Sequence, residues 1–112
     1  QAKKLSQART YAQKAISFNE NYGEPYILLA QMYGSNPNWS DEPALNRCTY
    51  YVVIDKLQRA KAVDPSVTDK VNELIATYAR HTPQAKDLFM LGYKAGDRIT
   101  IGGWIGESTT IR

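Results

Sequence analysis

Apolar residues at the start of the chain recur at helical spacing. Residues 2–18 contain no Gly or Pro, and their apolar positions lie three or four residues apart, which is typical of one face of an amphipathic helix. These positions are Leu5, Ala8, Ala12, Ala15 and Ile16. The segment Asn19–Gly23 has the composition of a turn. Pro25 then suits the first turn of a second helix, which we expect to end near Tyr33.

Three more helices are predicted after a polar loop at residues 34–43. The stretch 44–63 contains no Gly or Pro and predicts one long helix, because strong helix formers flank its two adjacent valines. A fourth apolar stripe covers residues 67–78. We expect Thr82 to cap a fifth helix that covers residues 83–92.

The C-terminal residues 97–112 differ from the rest of the chain in composition. They are rich in β-branched residues, and the pair Gly102–Gly103 is a hairpin turn signal. The sequence therefore predicts an all-α fold of about five antiparallel helices over residues 1–96, followed by a short β-rich tail. Within this tail we expect Trp104 to be buried against residues 88–93, because the last helices need a cover for their apolar face.

The chain also contains an internal repeat. Tyr26 and Val71 lie 45 residues apart, and Ala15 and Ala60 are separated by the same interval. Ala30 and Ala60 are small residues on the apolar stripes of two predicted helices. The larger residues on these stripes are Tyr26, Leu29, Tyr33 and Leu57, and Pro65 follows the second helix. This pattern resembles the tetratricopeptide repeat (TPR), a helix-turn-helix unit of about 34 residues, here with a longer loop between its helices. The resemblance implies a superhelix of antiparallel helix pairs.

A narrower resemblance rests on three segments. Asp55–Ser66, Tyr93–Asp97 and Ile101–Thr110 look like the C-terminal region of TPR proteins of Bacteroidetes, in which longer chains end this way. Members of that group are exported, so the resemblance implies the cell envelope or periplasm. The first helix also looks like the second helix of a repeat, and we therefore expect further repeats upstream.

The charge balance gives little support for a nucleic-acid partner. The 112 residues carry 14 Lys and Arg against 11 Asp and Glu, a net charge of +3. Lys3, Lys4, Arg9 and Lys14 make the first helix basic, but Tyr11 is the only aromatic residue among them, which favours a solvated face. The apolar runs are far shorter than the roughly 20 residues of a membrane span. We expect neither nucleic-acid binding nor membrane insertion.

Candidate catalytic and metal-binding residues are few. Cys48 and His81 are 33 residues apart, with no third group to orient the imidazole, so the cysteine is better explained as a small buried apolar residue. Asp41, Glu42 and Asp55 lack the regular spacing and central Gly of a calcium loop. The sequence therefore predicts no catalytic residue, no metal site and no cofactor.

The predicted function is a non-enzymatic protein interaction or scaffold module that binds a protein or peptide segment. Residues on the first helix of each repeat that packing does not require are expected to line a binding groove. The expected groove residues are Ile27, Gln31, Asn72, Ala76 and Arg80. Aromatic residues outside the helices offer an alternative binding site at Trp39 and Trp104. A structural C-terminal cap of a longer TPR array is the alternative function.

Overall fold

The computed structural model describes the backbone of residues 2–112 and the side chains of residues 4–112, and it is mostly helical. Its helices are α1 (Ala2–Phe18), α2 (Glu24–Ser35), α3 (Pro43–Arg47), α4 (Thr49–Val63), α5 (Thr68–Ala79) and α6 (Ala85–Met90). A short 3-10 turn, Pro65–Val67, leads into α5. The two strands of the tail are β1 (Arg98–Thr100) and β2 (Ser108–Thr110). A mostly helical fold with a small C-terminal β segment is thus confirmed.

Four of these helices, α1, α2, α4 and α5, form the body of the molecule as successive antiparallel neighbours. The start of α2 is fixed to the end of α4, because the backbone N–H of Gly23 donates to Oδ2 of Asp64 at 2.9 Å. Since α2 and α5 are both antiparallel to α4, they run in the same direction. Glu24 and Lys70 join the first turns of these two helices through an ion pair of 3.3 Å.

The core lies where α2, α4 and α5 meet, and it continues beneath the tail. Val53, Leu57 and Ala60 follow one face of α4 at helical spacing and are fully buried. The absence of a side chain at Gly23 lets the start of α2 approach α4 closely: a Cβ atom at Gly23 would lie 3.2 Å from the carbonyl oxygen of Ala60. Ile101 of the tail is also fully buried and belongs to the same cluster, so helices and tail share one core.

The predicted long helix over residues 44–63 is divided in two at Cys48. The backbone N–H of Cys48 bonds to the carbonyl of Leu45 at 3.0 Å, only three residues back, and α4 begins at Thr49. Just before this interruption, the Asn46 side chain accepts hydrogen bonds from the backbone N–H groups of Trp39 and Ser40, which ties α3 to the preceding loop.

The predicted cap at Thr82 is wrong. Its hydroxyl donates to the carbonyl oxygen of Ala79 at 2.8 Å and so closes the end of α5. Gln84 is extended, and α6 begins at Ala85 rather than at Pro83. This helix lies beside α3, with Leu88 buried in the core.

The tail is an antiparallel strand pair whose inner residues complete the core. Arg98 pairs with Thr110 and Ile99 with Thr109, and the loop of residues 101–107 between the strands contains the predicted glycine pair. Ile99 and Thr109 point inward while their neighbours are exposed, which is the alternation expected of a strand with one buried face. The tail therefore contributes apolar side chains to the core.

Candidate interaction surfaces

Four of the five predicted groove residues are exposed. Gln31 on α2 and Ala76 on α5 lie 45 residues apart, at equivalent positions of helices that run in the same direction. Arg80 follows α5 and is exposed, and Asn72 is exposed while its Oδ1 accepts a hydrogen bond from Nζ of Lys61 at 2.9 Å. We call Gln31, Asn72, Ala76 and Arg80 the crest surface. Its side chains are two amides, one methyl group and one cation, that of Arg80.

The prediction that Ile27 lines the groove is wrong. This residue is 1% exposed and belongs to the core. One helical face of α2 carries both Ile27 and Gly34, and this face turns toward α5. A Cβ atom at Gly34 would lie 2.6 Å from Cε1 of Tyr78, so the two helices are in close contact there. Ile27 is therefore used in packing α2 against its neighbours and is not available to a partner.

The two tryptophans of the alternative site pack inward. The Trp104 ring meets that of Tyr33 edge to face, with centroids 5.3 Å apart, so the aromatic partner of Trp104 lies on α2. Contact with residues 88–93 stays a prediction. Trp39 covers the tail loop, where a Cβ atom at Gly102 would lie 3.0 Å from its Cε3 atom. Both side chains are half-buried and hold loop and tail to the helices. Neither presents the freely exposed aromatic face that the alternative site needs.

Polar contacts fasten the tail across α1, α2 and α4. The Tyr33 hydroxyl donates to Oε2 of Glu107 at 2.6 Å, and Lys56 pairs with the other carboxylate oxygen at 2.7 Å. Arg9 donates to the carbonyl oxygens of Trp104 and Ile105, both at 2.6 Å. We call these contacts the tail clasp. Because Arg9 is part of it, one charge of the predicted basic helix has a structural role.

A further surface, which sequence reasoning missed, lies between α1 and α2. It is a groove of about 420 Å³, and we call it the edge groove. Its apolar lining consists of Tyr11, Ala12, Ala15, Tyr22, Pro25 and Leu28, with Glu24 and Gln31 also contributing. Tyr11 is 72% exposed, and Tyr22 and Leu28 are each 48% exposed. The signal was present in the sequence, since Tyr11 and Leu28 are large apolar residues at positions outside the buried stripes of their helices.

The α6 helix bears a smaller apolar surface. Phe89 and Met90 are 75% and 83% exposed, and Phe89 lines a cavity of about 350 Å³ together with Tyr93 and Ile111. Lys86 contributes a cation to the same cavity. This surface includes the end of the tail, and it shares no lining residue with the edge groove.

The candidate catalytic groups are not arranged for nucleophilic chemistry. Cys48 is fully buried, and burial raises the pKa of its thiol to about 11, so the thiolate is scarce at neutral pH. The His81 ring packs on Tyr50 with centroids 5.1 Å apart. Asp55 accepts hydrogen bonds from Thr109 and Arg112 and so belongs to the attachment of the tail. Across residues 2–112, no group of three or more His, Cys, Asp or Glu is placed to hold a metal ion.

The basic residues of the first helix differ in their environments. Lys4 and Lys14 are exposed, Arg9 is held in the tail clasp, and the side chain of Lys3 lies outside the described residues. In the described part of the chain, no helix is long and apolar enough to cross a membrane.

Comparisons with family models, with curated proteins and with solved structures give no match for this chain.

Proposed function

We propose that the chain is a non-enzymatic protein interaction module whose helices form a TPR-like superhelix. One observation carries the proposal: the link from α1 to α2 is repeated 45 residues later by the link from α4 to α5. The Asn19 N–H bonds to the Ala15 carbonyl at 3.2 Å, and the Asp64 N–H bonds to the Ala60 carbonyl at 3.0 Å. In both links, a side-chain oxygen also accepts a hydrogen bond from the backbone N–H two residues later.

The two links contain the same side-chain to backbone hydrogen bond. Oδ1 of Asn19 accepts from the N–H of Asn21 at 3.1 Å, and Oδ1 of Asp64 accepts from the N–H of Ser66 at 3.1 Å. These Asx-type turns set the angle at which each helix enters after the previous one. Helices repeated in this way stack, and stacked repeats expose long surfaces to partners.

The chemistry of the crest surface favours a neutral partner segment. The crest contributes one cation, Arg80, and Lys61 of α4 places a second beside it by donating to Asn72. Asn72 and Arg80 are eight residues apart, about 12 Å along the axis of α5, so the two cations do not form the tight cluster that recognises an acidic motif. We infer that it binds an extended or helical segment through amide and apolar contacts.

A displayed peptide library, panned on the purified chain, tests the crest surface. Ala76→Arg places a long charged side chain on the crest and should remove at least about nine-tenths of the affinity of selected peptides. Gln58→Arg is the matched control, because Gln58 is exposed on α4 and is not part of the crest. Selected peptides that bind equally well to the Ala76→Arg chain would contradict the proposal.

An acidic peptide tests the charge preference separately. We expect no saturable change in amide chemical shifts when a peptide ending in several acidic residues is added to the ¹⁵N-labelled chain. Micromolar binding that maps to Gln31 and Asn72 would show that the crest recognises acidic tails after all.

The exposed edge groove favours a second candidate function, in which the chain caps a longer stack of similar repeats. We propose this function because Tyr11 and Leu28 together leave a large apolar area in water, and a further helix would cover it. The repeat of 45 residues dictates the test. A copy of residues 20–45 joined directly to Gln1 places a second copy of α2 in register ahead of α1.

The extended chain should melt at least about 5 °C above the parent chain, because the added helix buries apolar area on the edge groove. The matched control carries Leu29→Asp in the added copy alone, which removes its apolar stripe, and it should melt with the parent. Equal melting temperatures for the extended chain and its control would refute the capping function.

A further inference from the structure

The edge groove corresponds, one repeat along, to a surface that α2 already covers. The correspondence by 45 residues pairs Ala12 with Leu57, Ala15 with Ala60 and Tyr22 with Val67. The second member of each pair is buried and the first lines the edge groove; of the first members, Ala12 is already buried at the floor of the groove, Ala15 is partly exposed and Tyr22 is exposed. The start of α2 is the cover: a Cβ atom at Gly23 would lie 2.9 Å from Cγ2 of Val67. The edge groove is thus equivalent to a helix-binding surface whose helix is known.

We propose that the edge groove binds an amphipathic helix of the α2 type, presented by another repeat unit, which lies antiparallel to α1 and parallel to α2. This proposal rests on the stacking of repeats in the proposed function, and it names the partner of that stack. The orientation follows from α2 itself, which is antiparallel to α4 and runs in the same direction as α5. The groove is continuous with this established packing, because α2 forms one wall of it.

The pattern of α2 defines the side chains that the bound helix needs. Tyr26, Leu29, Ala30 and Tyr33 form its buried stripe, with a small residue in the middle where the helices approach most closely. The edge groove is apolar along its centre, so the bound helix needs no charge on this stripe. Its charged side chains are expected on the opposite, solvent-facing side.

The Asn19 side chain is expected to lie at the first turn of the bound helix. Its equivalent, Asp64, accepts from the N–H of Ser66 through one oxygen and from the N–H of Gly23, at the start of α2, through the other. Asn19 makes the first of these contacts with Asn21. Where Asp64 has its second carboxylate oxygen, Asn19 has the amide nitrogen Nδ2. This nitrogen is a donor, so it cannot accept a hydrogen bond from a helix N–H. An aspartate at this position would supply the acceptor that Asp64 supplies to α2.

The test uses the complete ¹⁵N-labelled chain and a synthetic peptide with the sequence of residues 23–36. A hydrocarbon staple replaces the side chains of Gln31 and Ser35, which are exposed in α2, so the apolar stripe is unchanged. We expect saturable binding with a Kd in the range of about 10–300 µM. The largest amide shift changes should map to Ala12, Ala15 and Tyr22.

Two substitutions and a control make the test specific. Ala15→Arg should weaken binding at least about tenfold, because its side chain fills the groove where Ala60 is closely covered in the next repeat. Asn19→Asp should tighten binding about threefold to tenfold, because it restores an acceptor for the first helix N–H and a negative charge at the positive helix end. Gln13→Arg, on the exposed side of α1, should change nothing.

Four results would overturn the proposal. These are the absence of saturation at about 1 mM peptide, shifts that map to α6 or to the crest residues of α5 and its end, equal affinities for the Ala15→Arg and Gln13→Arg chains, and groove shifts that depend on chain concentration without peptide. Gln31 lines both surfaces and is left out of this comparison. The last of the four results would identify another surface of a second copy of the chain as the occupant, because the α2 stripe of a folded copy is buried and cannot be presented. Binding of library peptides to the crest would be unaffected by any of these outcomes, so failure of this proposal and failure of the proposed function are distinguishable.

Discussion

Replacement of Tyr33 by phenylalanine should measure how strongly the tail is attached to the helices. Tyr33 is fully buried, and its hydroxyl donates to Oε2 of Glu107 at 2.6 Å. Burial, followed by the hydrogen bond to Glu107, raises the pKa of Tyr33 well above its ordinary value, so the phenol remains a neutral donor throughout the working pH range. Tyr33→Phe removes this donor and leaves the ring in place.

The expected cost follows from the type of bond that is lost. A hydrogen bond to a charged group contributes about 1.5–3 kcal/mol. The Glu107 side chain is 27% exposed and also pairs with Lys56, so water and the lysine compensate in part. We therefore expect the lower end of this range, about 1.5 kcal/mol of the free energy of unfolding.

Urea unfolding of the two chains is the assay. With a slope of about 1.5 kcal/mol per molar urea, the midpoint should fall by about 1 M. The slope itself should not change, because the same core is exposed on unfolding. Fluorescence of Trp104, whose ring touches Tyr33, reports on the tail, and circular dichroism reports on the helices.

A double-mutant cycle supplies the control and the refutation. In a Glu107→Ala background the acceptor is absent, so the cost of Tyr33→Phe should fall to less than about 0.5 kcal/mol. If Tyr33→Phe costs as much in that background as in the parent, the loss comes from packing of the ring. A cost below about 0.5 kcal/mol in the parent chain would likewise refute a stabilising role for the hydrogen bond.

Three further predictions concern the body of the molecule. Hydrogen bonds, the larger effect from the Ser66 side chain and the next from the Gly23 N–H, hold the pKa of Asp64 below its ordinary value. The stabilising contribution of Asp64 is therefore complete above its unfolded pKa, near pH 4, and is lost as pH falls through its folded pKa. Asp64→Asn should accordingly flatten the acid side of the stability curve measured by urea unfolding. Cys48 should resist a thiol reagent at pH 7 and react once urea unfolds the chain, and fast labelling of the folded chain would contradict its burial. Gly34→Ala should lower stability by about 1–3 kcal/mol, because its Cβ would overlap an aromatic ring of α5, and an unchanged melting temperature would contradict that contact.

The parts of the fold that depend on local pattern were predictable. The stripe of α1 and the turn chemistry after Phe18 place the end of that helix correctly, because a helix end is determined within one or two turns of chain. Tyr26 and Tyr33 are buried as their spacing predicts. The 45-residue spacing of Tyr26 and Val71 was visible in the sequence, and both residues are buried.

The parts that depend on distant residues were not predictable from one sequence. Ile27 lies on a face that looks available until α5, some forty residues later, packs against it. The helix is interrupted at Cys48 in a segment that the Asn46 side chain ties to the preceding loop, a contact that the helical pattern does not reveal. Trp104 finds its partner in Tyr33, on a helix in the first half of the chain. Periodicity shows which side of a helix is apolar, but it does not identify the element that covers that side.

The tail clasp explains how the edge groove keeps its shape while its surface is open. α1 packs on α2 along one side only, and a helix held on one side is prone to fray. Arg9 removes this weakness, because it binds two carbonyl oxygens of the tail, 95 and 96 residues away in the chain. The tail is fastened in turn to Tyr33 on α2 and to Lys56 on α4 through Glu107. A partner helix therefore meets a groove whose two walls are already in position, and its binding energy is not spent on ordering α1.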